Sequence, residues 1–246
     1  MNDRTVAIIQ ARMGSSRLPG KVLRPINGRP ALERICRRVQ LAQAVDGVVI
    51  ATTTSDQDRA IVELGEALGI PVYCGPEQDV LTRYVGAATV HGADVVVRIT
   101  ADCPMVFPEL IDQVVRGLGD ADLSSNAIVY DRGGHDVSAR TYPRGCDVEA
   151  FPLDALLRMN RLGVSQPARE HVTWVAYREL PERFRLREIL DREDHSWLSW
   201  TVDTEEDYRR ICALAEKVGD DIDYRRALGV ALGMERRAAG RGAEYR

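Results

Sequence analysis

Residues 5–21 read Thr5-Val-Ala-Ile-Ile-Gln-Ala-Arg-Met-Gly-Ser-Ser-Arg-Leu-Pro-Gly-Lys21. The first six form an apolar, β-branched run closed by polar residues, which is the mark of a short buried strand. The stretch that follows, to Gly28, is rich in Gly, Ser and Pro and reads as loop. Pro30 then opens a helical pattern that sets Leu32, Ile35, Cys36 and Val39 on one face. The unit is strand, loop, helix, and it recurs. Residues 47–51 read as strand, Ser55 caps a helix over 56–68, 72–74 are a short strand and 79–91 a helix. Residues 94–99 are a further strand, Pro108 starts an amphipathic helix to Val115, and 121–125 form another strand. Such alternation predicts an α/β fold, a mostly parallel sheet with helices on both faces.

Beyond Asn126 the period fails, and residues 126–148 are expected to form a protruding hairpin or flap. Helices are predicted over 152–159 and 166–179, strands over 184–189 and 197–202, and a helix capped by Thr204 runs to Val218. The segment 236–246, rich in Arg, Gly and Ala, lacks an apolar period and is expected to fray. The organisation is one domain over 1–235 with no linker or repeat.

Of the 246 residues 45% are hydrophobic and 28% charged, enough to bury a sizeable single core. No apolar run approaches the ~20 residues of a membrane span, and the N-terminal residues do not read as a secretory signal. Five scattered cysteines, Cys36, Cys74, Cys103, Cys146 and Cys212, form no CxxC pair, which suits a reducing cytoplasm. Net charge is −4, yet residues 1–40 alone carry +7 and the remainder −11. A positive field this local fits a small anionic ligand and excludes nucleic acid as a partner. Among 33 cations only Lys21 and Lys217 are lysine, so Lys21 stands out within its basic loop.

That loop sets Gly14, Gly20, Ser15, Ser16, Arg12, Arg17 and Lys21 where backbone N–H groups can face a phosphate. It is not a Walker loop, because five residues separate Gly14 from Gly20 and Val22, not a hydroxyl, follows Lys21. Nor is it GxGxxG, so no dinucleotide cofactor is indicated. Without a Walker hydroxyl, magnesium must be held by carboxylates elsewhere, together with phosphate oxygens and water. Asp102, after the 94–99 strand, and Asp203, after the 197–202 strand, are the candidates, since ligands of open parallel sheets gather at the carboxyl ends of strands. Asp147 and Glu149 lie one strand period apart, with Arg144 just before them, so the two carboxylates share a face of any extended segment there. Arg169 and His171 share a predicted helix. His91, His135 and His195 have no metal spacing; Cys103 carries no sign of an activated thiolate, and Asp221-Ile-Asp223 suits helix capping better than metal binding.

Gln10-Ala-Arg-Met-Gly-Ser-Ser-Arg-Leu-Pro-Gly-Lys-Val-Leu23 resembles the signature of the cytidylyltransferases that activate acidic sugars, the acylneuraminate and 3-deoxy-manno-octulosonate enzymes. Five further stretches are similar, in order, to the branch of spore coat polysaccharide biosynthesis protein F: Asp79-Val-Leu-Thr-Arg-Tyr84, Arg98-Ile-Thr-Ala-Asp-Cys-Pro104, Tyr142-Pro-Arg-Gly-Cys-Asp-Val-Glu149, Arg169-Glu-His-Val-Thr173 and Thr201-Val-Asp-Thr-Glu-Glu-Asp207. Ala101 departs from the branch, which usually has glycine there. The resemblance implies the nucleotide-diphospho-sugar transferase (GT-A-like) fold and transfer of CMP from CTP to an acidic acceptor with release of pyrophosphate. It implies magnesium on Asp102 and Asp203, with Arg12, Lys21, Asp102 and Asp203 as the catalytic set. Nucleotide contacts would come from Ala11, Arg12, Met13, Gly14, Ser15, Ser16, Arg17, Lys21, Thr53, Arg83, Thr100 and Asp102. Acceptor contacts would come from Arg144, Asp147, Glu149, Arg169 and His171. It also implies a homodimer whose partner hairpin approaches the neighbouring cleft. A glycosyltransferase using a sugar nucleotide and a phosphonate cytidylyltransferase are the alternatives; the loop's cationic cluster favours a triphosphate over the former.

Overall fold

The computed structural model describes residues 3–131, 136–138, 140–220 and 222–243. Its strands in chain order are β1 (Thr5–Gln10), β2 (Pro25–Ile26), β3 (Arg29–Pro30), β4 (Gly47–Thr53), β5 (Val72–Gly75), β6 (Val95–Thr100), β7 (Leu123–Ser125), β8 (Val129–Asp131), β9 (Asp136–Ser138), β10 (Glu149–Pro152) and β11 (Leu186–Glu188). The α-helices are α1 (Ala31–Val39), α2 (Arg59–Leu68), α3 (Val80–Val90), α4 (Pro108–Leu118), α5 (Leu153–Leu162), α6 (Gln166–His171), α7 (Glu205–Val218) and α8 (Tyr224–Ala243).

Seven strands make one sheet in the order β11-β7-β10-β6-β1-β4-β5. β1 pairs in parallel with β4 and β6, β4 with β5, and β7 with β11, while β10 runs antiparallel to both β6 and β7. β1 is central and covered on both faces, which is why its sequence is continuously apolar instead of alternating. Val6 and Ile8 point into one core, with α3 and α5; Ala7 and Ile9 point into the other, with α1. Each such isoleucine contributes about 1.5–3 kcal/mol by leaving water. A third core lies under α7 and α8, where Phe107, Tyr142, Trp200 and Tyr224 meet with ring centroids 5.3–6.2 Å apart.

Three expectations change. Residues 197–202 are not a strand: Leu198, Trp200 and Val202 are buried in alternation, but the segment makes a single bridge, Ser199 to Arg144. The alternation reports burial on one face, and no neighbouring strand is there to complete a ladder. The bridge depends on Gly145 at φ +93°, where a Cβ would fall 2.5 Å from the backbone carbon of Trp200. The predicted helix 166–179 breaks at Val172, which is fully buried at φ +52°. Its ψ of −68° and the bond from Thr173 N to His171 O, 2.6 Å, make a γ-turn. Residues 236–243, expected to fray, continue helix α8 to Ala243, because Arg and Ala favour helix even without an apolar stripe; residues 244–246 lie outside the described residues. The expected flap contains the antiparallel pair β8 and β9, and its residues 132–135 and 139 lie outside the described residues. Among the described residues, no helix is long and apolar enough to cross a membrane.

Candidate active site

The loop after β1 is pinned before it reaches any ligand. Buried Asp58 accepts the Met13 N–H at 2.6 Å on one oxygen and the Thr53 hydroxyl on the other. Gly20 N donates back to Met13 O at 3.1 Å, and Gly20 takes φ +68° to start a short 3-10 turn at Lys21. The result is a closed loop whose inner wall faces a cavity of about 610 Å³ at the carboxyl ends of β1 and β6.

Lys21, only 12% exposed, is the centre of the polar network. Its Nζ donates to Asp203 Oδ1 and to Val202 O, each at 2.8 Å, and lies 3.6 Å from Asp102 Oδ2. Arg17 reaches Asp203 at 3.1 Å. Asp102 is oriented by the Thr100 hydroxyl at 2.6 Å, and its carbonyl accepts Val202 N–H at 2.9 Å, which brings the two aspartates to one wall. Asp203 arrives there on an irregular segment just before Thr204, not on a strand end as its sequence context suggested. Thr204 and Asp207 close a capping box on α7, worth about 1 kcal/mol, which fixes that approach.

Of the residues expected to touch nucleotide, Ala11, Arg12, Gly14, Ser15, Ser16, Arg17, Lys21, Arg83, Thr100 and Asp102 all line the cleft. Met13 and Thr53 do not; they hold the loop through Asp58. Arg83 is 2% exposed, burial depresses its guanidinium pKa, and its Nε has no hydrogen-bond partner. Gln10, Glu77, Gln78, Arg98, Gln166 and Glu170 also line the cleft and were missed in the sequence. Strand alternation could have found Gln10 and Arg98, which share the faces of Ile8 and Thr100.

The expected acceptor set is not brought together. His171 lines the cleft, stacked against Trp174 with centroids 5.5 Å apart. Arg169 does not: its Nε and Nη2 fork onto Asp79 at 3.0 and 2.6 Å and its Nη1 caps carbonyls of Asn160 and Gly163, tying α6 to the start of α3. Asp79 also caps α3 by accepting Thr82 N–H at 2.9 Å. Burial works to raise its carboxyl pKa, but Arg169 and Thr82 outweigh that and hold it below 3.8. Arg144 is exposed and lies off the cleft wall, and Asp147 pairs with Arg140. Glu149 is buried behind the wall, bonded to Arg98 at 2.6 Å and Thr173 at 2.9 Å. Cys103 is buried, and burial together with Asp102 and Asp147 pushes its thiol well above the ordinary range, which fits no nucleophile. Asp223 caps α8 through Arg226 N–H at 2.9 Å, and Asp221 lies outside the described residues.

Two carboxylates within reach of one ammonium fit a hard cation. Among the described residues, no group of three or more His, Cys, Asp or Glu could hold a metal. Asp102 and Asp203 would suit an ion such as magnesium, which takes one or two carboxylates and fills its other positions with phosphate oxygens and water.

A basic loop and two carboxylates meeting in a cleft at the carboxyl ends of parallel strands form the arrangement of a nucleotidyltransferase. More narrowly, the chain belongs to the cytidylyltransferase family, whose sequence model matches residues 6–189. It is 32% identical to spore coat polysaccharide biosynthesis protein SpsF of Bacillus subtilis, over 91% of this chain and 90% of that one. It is 28% identical to the 3-deoxy-manno-octulosonate cytidylyltransferase of Anaeromyxobacter, over 86% and 96%. A solved cytidylyltransferase from Leptospira borgpetersenii superposes with a TM-score of 0.84 at 28% identity, covering 95% of this chain and 96% of that one.

Proposed function

We propose that this enzyme transfers CMP from CTP to an acidic sugar, with magnesium, and releases pyrophosphate. The observation that carries the reading is the meeting of Arg12, Arg17 and Lys21 with Asp102 and Asp203 in one cleft. The names of the octulosonate and spore coat relatives support the acceptor class.

In this reading the loop amides, Arg12 and Arg17 grip the β- and γ-phosphates, and Lys21 takes the charge nearest the α-phosphate. The acceptor hydroxyl oxygen forms a bond to the α-phosphorus as the bond to the bridging α,β oxygen breaks. The electron pair leaves with pyrophosphate, and the hydroxyl proton passes to solvent. Asp102 and Asp203 would hold magnesium, which when bound offsets charge on the α-phosphate and the departing pyrophosphate. The remaining work is positioning, for which Thr100 orients Asp102 and Asp58 fixes the loop. The enzyme is further read as a cytoplasmic homodimer, with a light-scattering mass twice that of the chain; a monomer at every concentration would end that part.

The test pairs two measurements. Thermal melting with each of the four nucleoside triphosphates and magnesium should rise most with CTP. Pyrophosphate release should then require both CTP and a sugar acid, tried with 3-deoxy-manno-octulosonate and N-acetylneuraminate. Tight CTP binding without turnover on any acceptor would replace the enzyme reading with a regulatory one.

A further inference from the structure

Arg98 and Glu149 face each other directly across the β6–β10 pair, where the sheet changes from parallel to antiparallel. Both are largely buried, at 14% and 7% side-chain exposure. Arg98 Nη1 donates to Glu149 Oε2 at 2.6 Å, and the Thr173 hydroxyl holds the other oxygen, Oε1, at 2.9 Å. Burial works to lower the Arg98 pKa, and the Glu149 carboxylate more than reverses that, so the guanidinium is firmly charged. One end of the guanidinium is thus engaged by Glu149. Its other edge is not: Nε is buried without any hydrogen-bond partner, and Arg98 lines the cleft.

A buried donor left unpaired is costly, and the Nε/Nη2 edge of a guanidinium is a two-donor fork that matches the two oxygens of a carboxylate. We propose that this edge of Arg98 is the receptor for the acceptor's carboxylate, with Glu149 and Thr173 as positioning residues that aim it. The inference rests on the acidic-acceptor reading and says which residue enforces it. Two observations favour a carboxylate over a phosphate. Glu149 already neutralises the pair, so a monoanion balances better than a dianion, and the cations for phosphate lie in the loop at residues 12–21. Arg98 also shares a strand face with Thr100, two residues and about 7 Å along β6, and Thr100 is the residue that orients Asp102.

The experiment compares each sugar acid with its own carboxamide. In the parent, kcat/KM with 3-deoxy-manno-octulosonate or N-acetylneuraminate should exceed that with the carboxamide by about 100-fold. Arg98→Lys keeps a charge beside Glu149 but loses the fork, and should reduce that preference to about 10-fold or less, through KM for the acid, with KM for CTP unchanged. Because Arg98→Gln strands a buried carboxylate, the double variant Arg98→Gln/Glu149→Gln removes both charges and should also lose the preference while melting as a folded protein. Thr173→Val should weaken the preference in part, which a merely structural role would not do. A parental acid-to-amide ratio in Arg98→Lys overturns the proposal. If the parent makes no CMP-sugar from either acid, the acceptor reading fails by itself. The Arg98 assignment is then decided by calorimetric titration of the same acids and amides with α,β-methylene CTP present: binding that depends on both the carboxylate and Arg98 upholds it, and any other result ends it.

Discussion

The two walls of the cleft are built in opposite ways. The phosphate-loop wall comes from one stretch of chain, residues 11–21, closed by local bonds such as Gly20 N to Met13 O and Leu18 N to Ser15 Oγ. The opposite wall is assembled from β6, α6 and the start of α3, and is backed from behind by bonds such as Arg98 to Glu149, 51 positions apart, and Thr173 to Glu149, 24 apart. A contiguous wall can be recognised as a motif. An assembled wall exists only when the sheet does, so its members are legible singly but their partnerships are not.

Where the walls meet, substitutions should hurt most. Asp102→Asn and Asp203→Asn keep size and lose charge, and each should lower kcat by roughly 10³-fold with the fold intact. Near-native activity of Asp203→Asn at low magnesium would detach that residue from the metal site. Within the contiguous wall, Lys21→Arg should behave almost as badly as Lys21→Ala, losing about 2–4 kcal/mol of transition-state stabilisation in kcat/KM for CTP. The Nζ is held by three oxygens within 3.6 Å, a space suited to a compact ammonium and not to a planar guanidinium. Arg29→Lys, outside the cleft, is the control. Asp58→Asn should loosen the loop without touching ligand, raising KM for CTP by about 10-fold while the acid-to-amide preference stays fixed. A change in that preference would show that the two walls are coupled.

The smallest effect concerns support. Asp79→Ala should cost about 1–2 kcal/mol at pH 7, read by chemical unfolding, because it removes a helix cap and the Arg169 fork together. Since the folded carboxyl sits below its ordinary value of 3.8, this stability is complete above that value and fades as pH falls through the lowered one. The gap between variant and parent should therefore close in strong acid. A gap independent of pH would mean that packing, not charge, is what Asp79 supplies.

Much of this was readable from residue order. Strands at 5–10, 47–51 and 94–99 carried the apolar runs of a doubly covered sheet, and Asp79 and Thr204 announced helix starts. The loop and its two aspartates followed from chemistry. Two kinds of thing did not. Residues 197–202 alternate like a strand because they pack on a core, and periodicity cannot tell packing from pairing. The resemblance put Arg169 among the acceptor contacts, whereas its partners, Asp79 and the carbonyls of Asn160 and Gly163, lie in other elements or across a turn.

Val172 sits at the turn that links two parts of the assembled wall. A β-branched residue at φ +52° stores about 1–3 kcal/mol, and its complete burial is what holds it there. One residue before it, His171 stands at the mouth; one residue after, Thr173 grips Glu149 at the floor. One turn therefore sets both the imidazole that faces the cleft and the hydroxyl that holds the Glu149 carboxylate, so the two positions are fixed together.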